Sequence, residues 1–140
     1  MTKTFTCSII ATEFNKSLID SMLEIASSEL ELLGIGLQSI IRVPGAYEIP
    51  LIADIELSKP AVGGLVVLGY IEKGETLHGE VMGHSVSNAL VNLQLKLKKP
   101  IGLGIIGQGA TYEQAEVRYE NSARAAVRAL KHVADLLGIQ

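Results

Sequence analysis

Four short apolar runs, residues 5–11, 37–43, 64–69 and 101–106, are separated by longer stretches with helical periodicity, and this alternation constrains the fold most. Each run has the length of a buried strand and is dominated by apolar and β-branched residues. A strand that is apolar on both sides must be covered on both faces, as in parallel sheets whose crossovers are helices. The chain therefore reads as α/β, with a parallel sheet between two helical layers. Residues 1–140 are expected to form one domain, since no repeat, low-complexity tract or linker interrupts them.

The intervening stretches supply the helices. Residues 17–33 place Leu18, Met22, Ile25, Ala26 and Leu33 toward a core and leave Glu24, Glu29 and Glu31 for a wetter face, with Gly34 as a stop. Residues 48–57 predict a short second helix with Pro60 beyond its end, and residues 79–97 a longer third one ending before Pro100. Residues 112–137 close the chain as one or two helices.

Composition removes several function classes. Lys and Arg number 12 against 15 Asp and Glu, without a run of like charge, so no nucleic-acid partner is expected. The apolar runs fall far short of the ~20 residues a helix needs to span a bilayer. The first sixteen residues lack a secretory pattern, so the protein is expected to be cytoplasmic and free of membrane. Cys7, the one cysteine, lies in an apolar run and reads as a buried core thiol. No metal-ligand spacing is present, and His84 and His132, deep in expected helices, read as structural.

In a parallel sheet ligands gather beyond the carboxyl ends of the strands, so chemistry is sought in the loops that follow them. Gly74-Glu75-Thr76 joins a strand to a helix, where backbone amides and the Thr76 hydroxyl can hold an anion or make an ordinary N-cap. His78 follows closely and can exchange protons near neutrality, or serve as a surface or capping histidine. Phe14, in a strand-end loop, can stack on a planar ligand or pack on a helix. Glu48 can accept ligand hydroxyls or favour a helix start. Arg118 offers a planar fork to a phosphate or to a solvated ion pair.

In order along the chain, Phe14-Asn15, Val43-Pro44-Gly45-Ala46-Tyr47-Glu48-Ile49-Pro50, Gly74-Glu75-Thr76-Leu77-His78 and Glu113-Gln114-Ala115-Glu116-Val117-Arg118 together resemble the lumazine synthase family. Residues 103–109 look more like its archaeal branch than its common bacterial form. The resemblance implies a flavodoxin-like three-layer sandwich with a four-stranded parallel sheet. It also implies a homopentamer with sites shared between subunits, a sixty-subunit shell being the larger assembly open to it. The implied reaction condenses 5-amino-6-(D-ribitylamino)uracil with 3,4-dihydroxy-2-butanone 4-phosphate, without a cofactor, in riboflavin biosynthesis.

Carried over by position, Phe14 would stack on the pyrimidine, and Ala46, Tyr47 and Glu48 would line the ring and ribityl pocket. Tyr70, Ile71 and Glu72 would meet the pyrimidine edge; Glu75, Thr76 and Arg118 would hold the ketone phosphate; His78 would shuttle protons. Leu103 stands where many relatives have a ring-contacting phenylalanine, and Lys73 and Glu75 alter a common arginine-glycine-small-residue turn. The last helix lacks a glycine- and lysine-rich motif, for which Arg124 would supply replacement charge. Two other functions fit the same scaffold: an archaeal-type riboflavin synthase, which dismutates lumazine, and a noncatalytic flavin-binding or shell-forming protein.

Overall fold

The computed structural model describes residues 5–139, apart from the Gln108 side chain. The chain runs β1 (Thr6–Thr12), α1 (Lys16–Leu32), β2 (Gly36–Val43), a 3₁₀ turn (Ala46–Glu48), α2 (Ile49–Leu57), β3 (Gly64–Glu72), α3 (His78–Leu97), β4 (Ile101–Ala110) and α4 (Tyr112–Leu137). The four strands form one sheet in the order β2-β1-β3-β4, and every neighbouring pair is parallel. This is the flavodoxin-like arrangement, and the order reverses between β1 and β3.

Alternate residues of the central strands feed two separate cores. Cys7, Ile9 and Ala11 of β1 and Val66, Leu68 and Tyr70 of β3 pack with α1 and α4. Ile10 of β1 and Leu65, Val67 and Ile71 of β3 pack with α2 and α3. Neither face of β1 or β3 meets water along most of its length, which is why these strands read as apolar runs rather than as alternating ones.

The helix ends follow local chemistry. Thr111 and Gln114 cap α4 reciprocally, the Thr111 amide donating to Gln114 Oε1 at 2.9 Å and the Gln114 amide to Thr111 Oγ1 at 3.3 Å. With that start and Ala115, Ala123, Ala126 and Ala134 along its buried side, residues 112–137 form one uninterrupted helix. Small residues there let α4 press on β4, where a Cβ at Gly102 would land on the Ala126 carbonyl. Across α1 and α4, buried Glu29 receives Arg124 at 3.1 Å and Arg128 at 3.0 Å. Arg124 also pairs with Glu120 at 3.0 Å, so within the chain its guanidinium is shared between two carboxylates.

β4 is longer than its apolar run predicts. Tyr70 pairs with Ile106, but Glu72 pairs with Ala110, so residues 107–109 bulge opposite Ile71. Gly109 takes φ +89 within this bulge, a left-handed conformation that suits glycine.

Candidate functional site

A cavity of about 490 Å³ opens at the carboxyl ends of the strands, between the loops after β1, β2 and β3. This is the reversal point of the strand order, where open α/β sheets place their ligands. Its walls include Phe14 from the first loop, Ala46 and Glu48 from the second, and Ile71, Glu72, Thr76 and His78 from the third. Lys73, Pro44 and Met82 also line it, although nothing in the sequence reading singled them out as contacts.

The first two loops are tied to each other. The Glu13 amide donates to the Val43 carbonyl at 2.7 Å and the Phe14 amide to the Pro44 carbonyl at 3.2 Å. Arg42 adds a bond from Nη2 to the Thr12 carbonyl at 2.9 Å and one from Nη1 to Asp20 Oδ1 at 2.8 Å. The Lys16 ammonium, with the Arg42 guanidinium, holds the Asp20 carboxyl below its usual range. Phe14 itself is 49% exposed, so its ring is available to a ligand rather than spent on the core.

Glu48 is half of a local turn: its Oε1 accepts from the Gly45 amide at 2.8 Å. That bond fixes the carboxylate at the cavity wall and leaves Oε2 as a further acceptor. Beside it, Tyr47 does not line the cavity but meets His78 edge-on, with ring centroids 5.9 Å apart and planes at 71°. His78 is thus held on one side by an aromatic ring while its imidazole borders the cavity.

His78 is also the first residue of α3, and its amide donates to Thr76 Oγ1 at 3.2 Å. Accepting that bond leaves the Thr76 O–H free to donate, next to the first-turn amides of a 20-residue helix. Donors and helix dipole together make this turn fit to bind an anion. Glu75 belongs to an adjoining hollow of about 470 Å³, which shares Glu72, Lys73, Gly74 and Thr76 with the cavity and reaches Gly109.

Tyr70 also lines the cavity. Its side chain is buried in the core under α1 and α4, and its Oη donates to the Ala110 carbonyl at 2.9 Å. Burial, with the Glu72 carboxylate nearby, pushes its phenol up to about 12, so the hydroxyl stays protonated at neutral pH. The same carbonyl accepts the Lys73 amide at 2.9 Å, fastening the third loop to the start of α4.

Leu103 and Arg118 line neither hollow. Leu103 is 40% exposed on the edge strand β4, and Arg118 is exposed on α4. Without Arg118, the cavity sets Lys73 against Glu48 and Glu72, a poor balance for a phosphate dianion. Outside the site, burial pushes the Cys7 thiol up to about 12, which makes it inert, while His84 and His132 are exposed away from the cavity. Among the described residues no helix is long and apolar enough to cross a membrane.

Arg42 is the organising residue that sequence reasoning missed. A lone arginine ending an apolar strand just before a strand-end loop was the available signal, but its partners lie 22 and 30 residues away.

Known proteins resemble this chain along most of its length. Residues 4–138 match the family described as 6,7-dimethyl-8-ribityllumazine synthase. The chain is 39% identical over 124 residues to the protein of that name from Sulfolobus acidocaldarius, an alignment covering 88% of this chain and 78% of the relative. It is 41% identical to the one from Metallosphaera sedula, with 88% and 82% covered. Identity is again 41% to the one from Staphylothermus marinus, with 87% and 81% covered. The strand-end motifs thus sit on a flavodoxin-like sheet in a chain matched along nearly its whole length, and the chain belongs to the 6,7-dimethyl-8-ribityllumazine synthase family.

Proposed function

We propose that the chain condenses 5-amino-6-(D-ribitylamino)uracil with 3,4-dihydroxy-2-butanone 4-phosphate to 6,7-dimethyl-8-ribityllumazine, phosphate and water, the lumazine-forming step of riboflavin biosynthesis. The observation that carries this reading is the meeting of Phe14, Glu48, Thr76 and His78 on one cavity in a chain of this family. Phe14 stacks on the pyrimidine, Ala46 and Glu48 receive the ribityl chain, and the Tyr70, Ile71 and Glu72 backbone meets the pyrimidine edge. Thr76 and the start of α3 hold the phosphate, with Glu75 at the rim.

The uracil's 5-amino group attacks the ketone carbon, and loss of water gives an imine. His78 removes a proton beside the imine and phosphate leaves, its electron pair departing with the oxygen. The elimination leaves the neighbouring hydroxyl-bearing carbon as an enol, which tautomerises to a new carbonyl; the ribitylamino nitrogen closes on that carbonyl, and a second water is lost. Alignment of two substrates in one cavity supplies most of the rate, and proton transfer adds roughly 10²- to 10⁴-fold.

The positive charge missing from the cavity comes from Arg118 of a neighbouring subunit, and Leu103 reaches a neighbouring site in the same way. Apolar residues lie exposed at both edges of the sheet, Leu37 and Ile40 on β2 and Leu103 on β4. Two unlike faces favour head-to-tail association, which gives a ring when the rotation from one subunit to the next closes. The ring proposed is a homopentamer working in the cytoplasm as one domain per chain, and a sixty-subunit shell is its larger form.

The family and the relatives' names favour this reaction over dismutation of lumazine. Purified protein given both substrates is expected to yield the lumazine, identified by mass and absorbance, whereas protein given lumazine alone yields no riboflavin. Riboflavin in the second tube would make the chain a riboflavin synthase; product in neither, with a ligand retained, would make it a binding or shell protein.

A further inference from the structure

We propose that Arg42 is a positioning residue for the heterocycle end of this site, holding Phe14 in its stacking pose through the loop that carries it. The inference rests on the lumazine-forming reading above. An aromatic ring 49% exposed contributes little to its own anchoring, and the loop behind it turns through Asn15 at φ 56, a left-handed conformation uncommon outside glycine. Besides the backbone bonds from the Glu13 and Phe14 amides, Arg42 braces residues 12–15, touching the first of them and the helix that follows.

One guanidinium nitrogen donates to the Thr12 carbonyl before Phe14, and the other to Asp20 on the first turns of α1 after it. Nε stands 3.7 Å from the Glu13 carboxylate, the residue adjoining Phe14. Arg42 also directly precedes Val43 and Pro44, whose carbonyls accept the Glu13 and Phe14 amides. The loop bearing the ring is thus tied by backbone bonds to the loop bearing Ala46 and Glu48, and the Arg42 side chain braces it from Thr12 to α1. A planar fork can serve both acceptors at once, whereas a lysine ammonium cannot reproduce that geometry. With the loop ordered beforehand, binding does not have to order it, and affinity for the planar substrate rises.

The test is a double-mutant cycle on assembled protein, combining Arg42→Gln with Phe14→Ala and measuring ribitylated-uracil binding by calorimetry alongside steady-state kinetics. Arg42→Gln should raise Kd and KM for the uracil on the order of tenfold, leaving the ketone-phosphate KM and kcat at saturation near wild type. In the Phe14→Ala background the same change should weaken binding no further, because its effect runs through the ring. Arg42→Lys should give an intermediate loss and serves in the cycle if the glutamine variant does not assemble. Additive losses, or a fall in kcat with uracil affinity intact, would overturn the positioning role while leaving the function standing. A parent protein that neither binds the uracil nor forms lumazine would overturn the functional reading itself.

Discussion

At the scale of single residues, the site divides into groups whose place follows from the loop they occupy and groups whose place depends on distant partners. Phe14, Glu48, Thr76 and His78 were legible because a parallel sheet sends every strand-end loop to one edge, and the cavity is built from those loops. If His78 transfers protons, His78→Ala should assemble normally yet turn over roughly 10²- to 10⁴-fold more slowly, as read by kcat across pH at saturating substrates. Arg118→Ala should weaken the ketone phosphate selectively, by about 1.5 to 3 kcal/mol for a lost charged hydrogen bond, as read from the two substrates' KM values. Tyr70 lines the cavity, but the depth of its ring was not legible: in a strand apolar on both sides, pattern alone cannot say which core receives it, and here it lies beneath α4. Tyr47 meets His78 edge-on, a contact that joins two loops distant in sequence.

At the scale of elements, the four strands and four helices fell where apolar period and stop signals put them, while ends set by tertiary contact moved. β4 runs past its apolar segment because its bulge restores pairing at Ala110, which a glycine-rich stretch does not announce. Its contact with α4 is strict at Gly102, where an added Cβ meets the Ala126 carbonyl. Gly102→Ala should therefore cost roughly 1 to 3 kcal/mol, the usual range for overpacking, in denaturant unfolding of the assembled protein. The α1–α4 contact carries the opposite kind of test. Arg128, aided by Arg124 and outweighing burial, holds the Glu29 carboxyl below its ordinary value of 4.5. A carboxylate depressed in the folded state stabilises above its unfolded value, and that stability is lost as pH falls through the folded one. Glu29→Gln should thus lower Tm at neutral pH, and the gap from wild type should close as pH falls below about 4.5.

At the scale of the whole molecule, one chain supplies a shaped cavity with a helix start and a histidine, but not the charge a phosphate needs. The exposed arginine on α4 and the apolar residues at opposite sheet edges account for each other if subunits associate head to tail, each chain lending Arg118 to its neighbour's cavity. None of this was readable from hydropathy, since an interface residue on an edge strand looks like any other apolar position. The shared site can be measured by subunit mixing. Phe14→Ala and Arg118→Ala proteins, each impaired alone, are unfolded, combined in equal amounts, refolded into mixed rings and assayed for lumazine formation. In random rings about a quarter of the sites pair an intact cavity with an intact arginine, so activity should rise to about a quarter of wild type. Mixed rings no more active than the mean of their two parents would place cavity and arginine in the same chain and contradict the shared site.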